Sequence, residues 1–118
     1  MKNDKTLRWY VAGPMTGLPN LNFAAFHAAA ARLRGLGHEV VNPAEINPDQ
    51  GAKWEDCMRA DIKALMDCDA ILLLPGWERS RGATLEHHIA KALGMYIALA
   101  AGVSPFSVSA AAPDWAAA

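Results

Sequence analysis

Residues 69–99 read DAILLLPGWERSRGATLEHHIAKALGMYIAL, and this stretch decides the fold. It opens with an apolar run over 69–74, passes through a polar loop into a helical pattern over 83–93, and ends in a shorter apolar run over 95–99. An apolar run such as the first is typical of a strand that is buried on both faces of a parallel sheet. Two strands joined by a helix form a right-handed crossover, so the stretch predicts a parallel α/β unit.

The chain before this unit predicts the same alternation. Residues 7–12 and 38–42 are predicted strands, and residues 23–36 and 54–66 are predicted helices. Asn22 is the predicted N-cap of the first helix. Strand and helix therefore alternate through the chain, which is the pattern of a parallel α/β sheet covered by helices.

Composition bounds the classes of function. The 118 residues suit one domain, with 53% hydrophobic and 19% charged residues as in a packed globular protein. The net charge of -1, with no basic cluster beyond Arg79 and Arg81, predicts neither a nucleic acid polymer nor a membrane surface as partner. Residues 102–118, rich in Ser, Ala and Pro, are a predicted C-terminal tail; Trp115 favours a docked tail, and a frayed end is the alternative.

The two cysteines bear on the compartment. Cys57 and Cys68 are eleven residues apart on or near one predicted helix, roughly 16 Å at the rise of an α-helix. A disulfide needs Cα atoms within about 7 Å, so both are expected to be free thiols, which favours the cytoplasm. We expect no signal peptide, and no apolar run approaches the roughly 20 residues that span a bilayer.

Polar residues concentrate in the loops that follow the predicted strands. In an open parallel sheet, ligands bind at the carboxyl ends of the strands. The loop over 13–22, the pair Asn42-Pro43 and the loop over 75–82 all leave such ends. Neither the G-x-G-x-x-G fingerprint nor the P-loop follows the first strand, which argues against nicotinamide redox chemistry and ATP hydrolysis.

Two carboxylates stand out next to these loops. Asp61 lies on the middle one of the three predicted helices, and Glu86 lies near the start of the helix after the 75–82 loop. A carboxylate pair about 5 Å apart suits a retaining glycoside mechanism. The alternative for Asp61 is a solvated helix face with an ion pair to Arg59 or Lys63, and the alternative for Glu86 is a surface acid that offsets the helix dipole.

Metal and serine-hydrolase chemistry find little support in the sequence. His87 and His88 are adjacent and point to different helix faces, whereas zinc helices place histidines at i and i+4. The cysteines lack metal-ligand spacing, and Ser80 lacks a G-x-S-x-G elbow. We therefore expect no metal.

Three blocks carry a resemblance to a known family. They are YVAGPM from Tyr10, RADIxxLxxCDA from Arg59 and SxGAxxExxxAxxLG from Ser80. In this order they resemble the nucleoside 2-deoxyribosyltransferase superfamily over residues 7–99, and LPGWERSRGA is similar to an uncharacterised branch found in phages and bacteria. The resemblance implies a single-domain flavodoxin-like or Rossmann-like three-layer α/β sandwich with a parallel sheet of four to five strands.

The resemblance also implies roles for residues. It makes Glu86 the nucleophile, Asp61 the residue that orients the sugar and the nucleophile, and Tyr10 a phenol close to Glu86. The residues implied or expected to contact the substrate are Gly13, Pro14, Met15, Thr16, Phe23, Asn42, Trp77, Ser80, Arg81 and Gly82. Among these, Phe23 or Trp77 is expected to stack on the base.

The loop before Glu86 departs from the transferase members of that superfamily. They carry an Asp-Gly doublet whose aspartate contacts the leaving base, where this chain has Arg81 and its neighbours. Ser80 instead resembles the serine that holds the phosphate in members hydrolysing deoxynucleoside 5'-monophosphates. Thr16, Arg79 and Arg81 are expected to assist, because anions suit arginine forks and helix N-termini.

The function implied is cleavage of the N-glycosidic bond of a 2'-deoxynucleoside or its 5'-monophosphate, with transfer to water or another base. No cofactor is implied. The resemblance also implies a homodimer or larger homo-oligomer, in which a neighbour's C-terminal segment completes the pocket. The alternative is a non-catalytic nucleotide-binding module, a sensor or sponge, on the same fold.

Overall fold

The computed structural model describes residues 6–100. Its strands are β1 (Arg8–Ala12), β2 (Glu39–Val41), β3 (Ala70–Leu73) and β4 (Tyr96–Leu99), and its helices are α1 (Phe23–Gly35), α2 (Pro43–Ile46), α3 (Trp54–Leu65) and α4 (Arg81–Ala92). Two short 3-10 turns, Pro19–Asn22 and Trp77–Arg79, precede α1 and α4. The predicted tail over 102–118 lies outside the described residues.

The four strands of the described part form one parallel sheet in the order β2-β1-β3-β4. Tyr10 pairs with Val41 on one side and with Ile71 on the other. The chain order reverses between β1 and β3, so these two strands flank the point where ligands bind in such sheets. The predicted parallel α/β fold is confirmed, with four strands.

Helices cover both faces of the sheet, which gives three layers. On one face, Trp9, Val11 and Leu72 pack against Phe26 and Leu33 of α1. The opposite face packs against α3 and α4, and its buried residues include Tyr10, Ala12, Leu65, Ile71, Leu73, Ala83 and Ala90. Alternate residues of β1 thus face opposite layers, as the two-residue period of a strand requires. Tyr10 is thereby directed toward α3 and α4.

The entry into α1 differs from the prediction. Asn22 occupies the N-cap position, but its side chain does not cap the helix. Asn20, Leu21 and Asn22 all adopt left-handed backbone conformations, with φ of 49°, 53° and 60°. The Asn22 Nδ2 donates instead to the carbonyl oxygen of Pro14 at 3.0 Å, which ties this turn to the loop after β1. The capping prediction was wrong because an N-cap needs an extended backbone, whereas that of Asn22 is left-handed.

The short helix α2 lies where the sequence predicted a loop. Asn42 caps it, since its Oδ1 accepts from the Ala44 N–H at 3.0 Å, and Pro43 fills the first helical position. A single turn is too short to produce a hydrophobic period, so the pattern gave no signal. α2 lies in the segment that connects β2 to α3, and it contacts both α1 and α3.

Neither Cys57 nor Cys68 forms a disulfide, as predicted. Cys57 lies within α3 and Cys68 lies just beyond its end, where it is buried. Across residues 6–100, no helix is both long enough and apolar enough to traverse a lipid bilayer. In the same range, no cluster of three or more His, Cys, Asp or Glu side chains is arranged to hold a metal ion.

Candidate active site

A cavity of about 680 Å³ opens at the carboxyl ends of β1 and β3. This volume lies within the range of small-molecule sites, and the position is the strand-order reversal of the sheet. Three segments form most of its wall: the loop after β1, one face of α3, and the start of α4 with the loop before it. The lining residues are Gly13, Pro14, Met15, Thr16, Leu21, Phe26, Pro43, Gln50, Ala52, Trp54, Cys57, Met58, Asp61, Arg79, Ser80, Arg81, Gly82, Ala83 and Glu86.

Glu86 lies in the second turn of α4 and is directed into this cavity. The helix begins at Arg81, two residues earlier than predicted, so Glu86 is further from the N-terminus than an acid that offsets the helix dipole. Its side chain is only 4% exposed. The alternative of a surface acid is therefore wrong.

Tyr10 holds Glu86 from below. The phenol oxygen of Tyr10, which is fully buried on β1, donates to Glu86 Oε2 at 2.5 Å, a short hydrogen bond. Burial, together with the charges of Glu86 and Asp61, raises the pKa of Tyr10 well above its usual range. The phenol consequently stays protonated and serves as a donor to the carboxylate.

Burial also governs the protonation of Glu86. Loss of solvent raises the pKa of Glu86 to about 8, against the hydrogen bond from Tyr10, which lowers it; the charge of Asp61 raises it further. A carboxylate with a raised pKa is more basic once ionised, and perturbed pKa values of this kind are common at functional sites.

Asp61 is the second carboxylate in the cavity. It lies on α3 and is 6% exposed, so the alternative of a solvated helix face is wrong. Asn47 Nδ2, from the segment after α2, donates to Asp61 Oδ1 at 2.8 Å. Burial raises the pKa of Asp61 to about 7, and the hydrogen bond from Asn47 opposes that rise.

Ser80 and Arg81 line the cavity at the start of α4. The Ser80 Oγ accepts from the Ala83 N–H at 3.2 Å, so Ser80 is the N-cap of α4. Its hydroxyl proton remains able to reach an acceptor in the cavity, because the cap uses only a lone pair. The Arg81 guanidinium lies over the Trp54 ring, 3.9 Å from its centroid, in a cation–π contact.

Two glycines allow close packing around the cavity. A Cβ built on Gly13 would lie 2.7 Å from Leu74 Cβ, closer than real side chains approach. A Cβ on Gly82 would lie 3.0 Å from Met58 Sδ. The end of β1 can therefore approach the segment after β3, and α4 can approach α3, only where the side chain is missing.

The structure brings most of the predicted site residues together. Asp61 and Glu86 line the cavity with Gly13, Pro14, Met15, Thr16, Ser80, Arg81 and Gly82, while Tyr10 lies beneath Glu86. Phe23, Asn42 and Trp77, all within residues 6–100, are not among the lining residues. Phe23 contacts the His27 ring and packs on the α1 core, and the Trp77 ring lies against the His87 ring, with 4.6 Å between the centroids and 54° between the planes.

Asn42 has a structural place instead. It is 1% exposed, its Oδ1 caps α2, and its Nδ2 is 3.2 Å from His27 Nδ1. The stacking of Phe23 or Trp77 on a base stays a prediction, although neither ring lines the cavity. The aromatic rings that line the cavity are those of Phe26 and Trp54.

Sequence reasoning missed the α3 wall of the cavity. Trp54, Cys57 and Met58 line it together with Asp61. These positions follow a spacing of three, four and seven residues, which places them on one face of a helix. The signal was therefore present: a search from Asp61 back along its own helix would have found all three.

A model of the family described as "Domain of unknown function (DUF4406)" matches residues 7–99. The chain belongs to this family. The match covers all four strands, the whole of the helices α1–α4 and both catalytic candidates, Asp61 and Glu86. No curated protein matches the chain.

Solved structures match the fold of this DUF4406 chain. It is similar to a 2-deoxyribosyltransferase from Bacillus psychrosaccharolyticus, with 21% identity, 78% of this chain and 70% of the other covered, and a TM-score of 0.62. It is also similar to a 2-deoxyribosyltransferase from Leishmania mexicana, with 19% identity, coverages of 86% and 77%, and a TM-score of 0.62. The resemblance found in the sequence blocks is confirmed in the fold.

Proposed function

We propose that the protein cleaves the N-glycosidic bond of a 2'-deoxynucleoside or of its 5'-monophosphate, with Glu86 as nucleophile. The observation that carries this proposal is the buried Glu86 carboxyl, held at 2.5 Å by Tyr10, in the same cavity as the buried Asp61. Two buried carboxyl groups are costly to maintain, and a carboxylate pair in one pocket suits glycosidic chemistry. The similarity to 2-deoxyribosyltransferases supports the same reaction class.

The reaction begins with ionised Glu86. One carboxylate oxygen forms a bond to C1' of the sugar while the C1'–N bond breaks, and its electron pair departs with the base, which takes up a proton. The resulting glycosyl ester on Glu86 is then attacked by water or by a nitrogen of a second base. A bond forms between C1' and the attacking atom, and the C1'–O bond of the ester breaks with its electron pair going to Glu86. This step restores the Glu86 carboxylate, and the attacking group loses a proton.

Tyr10 and Asp61 support this nucleophile. Tyr10 donates to one oxygen of Glu86, which fixes the carboxylate and favours its ionised form. Asp61 faces the same cavity, where it is placed to accept a hydrogen bond from a sugar hydroxyl. The loop of Gly13 to Thr16 forms the facing wall, and the Trp54 ring lines the same cavity with the Arg81 guanidinium over it.

A 5'-phosphate suits the start of α4. Arg79, Ser80 and Arg81 line the cavity there, and Thr16 lines it from the loop after β1. Guanidinium forks, hydroxyl groups and the N-terminus of a helix all favour a phosphate. The contact with Trp54 limits the conformations of Arg81, so less entropy is lost when Arg81 binds an anion.

The second candidate function is a nucleotide-binding module without turnover. The observation that favours it is the pKa of Glu86 of about 8, because a carboxyl that is protonated at neutral pH does not attack. Arg81 also occupies the region where transferases of the resembled superfamily carry a base-contacting aspartate. A binder would keep the cavity and the anion-binding residues but would not need ionised Glu86.

One experiment separates the two candidates. The wild type, Glu86→Gln and the surface control Glu78→Gln are incubated with 2'-deoxynucleosides and their 5'-monophosphates, and released base is measured by chromatography. We expect release by the wild type and the control, and a loss of about 10³-fold or more in Glu86→Gln. Mass spectrometry of the quenched wild type should show the glycosyl adduct on Glu86.

The outcome also decides whether a phosphate is required. Faster release from monophosphates than from nucleosides supports the role of Arg79, Ser80 and Arg81. If no substrate releases base while both the wild type and Glu86→Gln bind monophosphates tightly, the enzyme is excluded and the binding module stands.

A further inference from the structure

The cavity contains a hydrogen bond that the reaction scheme above does not use. Asn47 Nδ2 donates to Asp61 Oδ1 at 2.8 Å. Asp61 is buried on α3, whereas Asn47 comes from the segment that follows α2, fourteen residues earlier in the chain. An amide donor on one oxygen fixes the rotation of the carboxyl group and leaves its other oxygen directed elsewhere.

Asn47 is itself held in place. It is the C-cap of α2, and its backbone N–H donates to the Pro43 carbonyl oxygen at 2.9 Å. At the other end of the same turn, the side chain of Asn42 caps the Ala44 N–H. Two asparagines thus close the two ends of one helical turn, and the second of them reaches Asp61.

A salt bridge ties the same turn to the opposite layer of the protein. Arg34 of α1 donates to both oxygens of Glu45 of α2, at 2.8 and 2.7 Å, and to the Val40 carbonyl oxygen at 3.2 Å. Exposed ion pairs contribute little to stability, but a bidentate arginine fixes geometry. α2 is therefore attached to α1, to β2 and, through Asn47, to α3.

We propose that α2 acts as a bracket, in the sense that it fixes the orientation of the Asp61 carboxyl group through Asn47. Asn47 is thereby a positioning residue of this site. The catalytic consequence of this inference rests on the proposed function, but the Asn47–Asp61 contact lies within the protein itself and does not depend on a substrate. By donating to one oxygen, Asn47 keeps the other oxygen of Asp61 turned toward a sugar hydroxyl. It also favours ionised Asp61 over the protonated form, against the burial that opposes ionisation.

The first test is kinetic. Asn47→Ala removes the donor, and Asn47→Asp keeps the shape of the side chain but puts a carboxylate beside Asp61. We expect kcat for base release to fall about 10- to 100-fold in Asn47→Ala, as when a hydrogen bond to a charged group is lost, and KM to change little. Ile46→Ala, which trims an exposed side chain on the same turn, is the matched control and should retain wild-type kcat.

The second test does not need activity. The carboxyl carbon of Asp61 is titrated by NMR in the wild type and the variants. Glu86 of α4, Tyr10 of β1 and Cys57 of α3 are near enough to influence this titration, and Arg79 and Arg81 line the same cavity; all five are left unchanged. The midpoint should move upward by about one pH unit in Asn47→Ala and further in Asn47→Asp.

The two readouts separate the failure of this inference from the failure of the proposed function. If the wild type releases no base but the Asp61 midpoint moves as expected, the reaction is wrong and the bracket stands. If the wild type is active while both Asn47 variants keep its kcat and its Asp61 midpoint, the bracket is refuted. Should Asn47→Ala fail to fold, Asn47→Asp decides through kcat alone, because its own charge raises the Asp61 midpoint whether or not Asn47 positions the carboxyl; wild-type kcat in that variant refutes the bracket.

Discussion

At the scale of a single residue, Glu86 is subject to two opposing effects. Burial disfavours its charged form and raises its pKa, while the hydrogen bond from Tyr10 favours the charged form. The reaction needs the charged form, so Tyr10 decides what fraction of the protein is competent at a given pH. This makes Tyr10 more than a packing residue of β1, although it is fully buried there.

Tyr10→Phe tests this role. The ring and its packing are kept and the donor is lost, so the pKa of Glu86 should rise by about one unit or more from about 8. Since the plot of kcat/KM against pH reports the free enzyme, its acidic limb should move upward by the same amount. Tyr96→Phe makes the same change at an exposed position of β4 and should leave the limb in place; an unshifted limb in Tyr10→Phe would contradict the role.

At the scale of elements, the sequence predicted the strands and helices whose own residues show a hydrophobic pattern. The run over 70–74 and the helix with Asp61 were placed correctly because burial on both faces and a helical period are visible in the residues themselves. α2 was missed because one turn has no period. The contact between Arg81 and Trp54 was missed because it joins the starts of α4 and α3, which lie far apart in the chain.

The candidate site divides in the same way. Glu86 and Asp61 were found through motif resemblance, and the structure adds that both are buried in one cavity. Phe23 and Trp77 were expected there because they are aromatic and close to the right loops, but Phe23 packs against His27 one turn along α1, and Trp77 packs against His87 of α4. Proximity in sequence fixes which loop a ring belongs to, whereas tertiary packing fixes the direction in which it points.

The junction of β1 and β3 gives a prediction about packing between elements. In Gly13→Ala, the new Cβ would meet Leu74 Cβ at 2.7 Å, so one of the two segments would have to shift. We expect the free energy of unfolding to fall by about 1–3 kcal/mol, the usual cost of overpacking. Gly35 is the last residue of α1 and has open space around it. Gly35→Ala should therefore raise the free energy of unfolding by up to about 1 kcal/mol, because alanine favours a helix. Denaturant melts measure both, and equal effects would show that the approach at Gly13 is not tight.

At the scale of the whole molecule, the buried carboxyls of Asp61 and Glu86 make the free energy of unfolding depend on pH. There is a pH range in which few other groups contribute to this dependence. Burial lowers the pKa values of His38 and His87, so both are mostly neutral in the folded protein above about pH 6.5, and in an unfolded chain most of each is neutral above about pH 7. Burial raises the pKa of Cys57, and that of Tyr10 more strongly, so their effects begin only at higher pH. Between about pH 7 and 8, the titration of the site carboxyls should therefore dominate.

Within this window the wild type should lose stability as the pH rises. The pKa of Glu86 is about 8 in the folded protein and about 4.3 in an unfolded chain, so between these values the folded state binds the extra proton. The stabilisation is complete below the lower value and is lost as the pH rises through the upper one, at up to about 1.4 kcal/mol per pH unit. Glu86→Gln stays neutral and keeps an oxygen for Tyr10, so its unfolding free energy should fall less steeply and exceed that of the wild type by an increasing margin toward pH 8. Asp61, with a pKa of about 7, leaves a smaller residual slope in that variant.

Thermal or urea melts of the wild type, Glu86→Gln and Glu78→Gln across this window measure how the unfolding free energy changes with pH. Equal slopes for all three proteins would mean that Glu86 is already ionised in the folded protein. That result would remove the argument for the binding module and strengthen the argument for Glu86 as nucleophile.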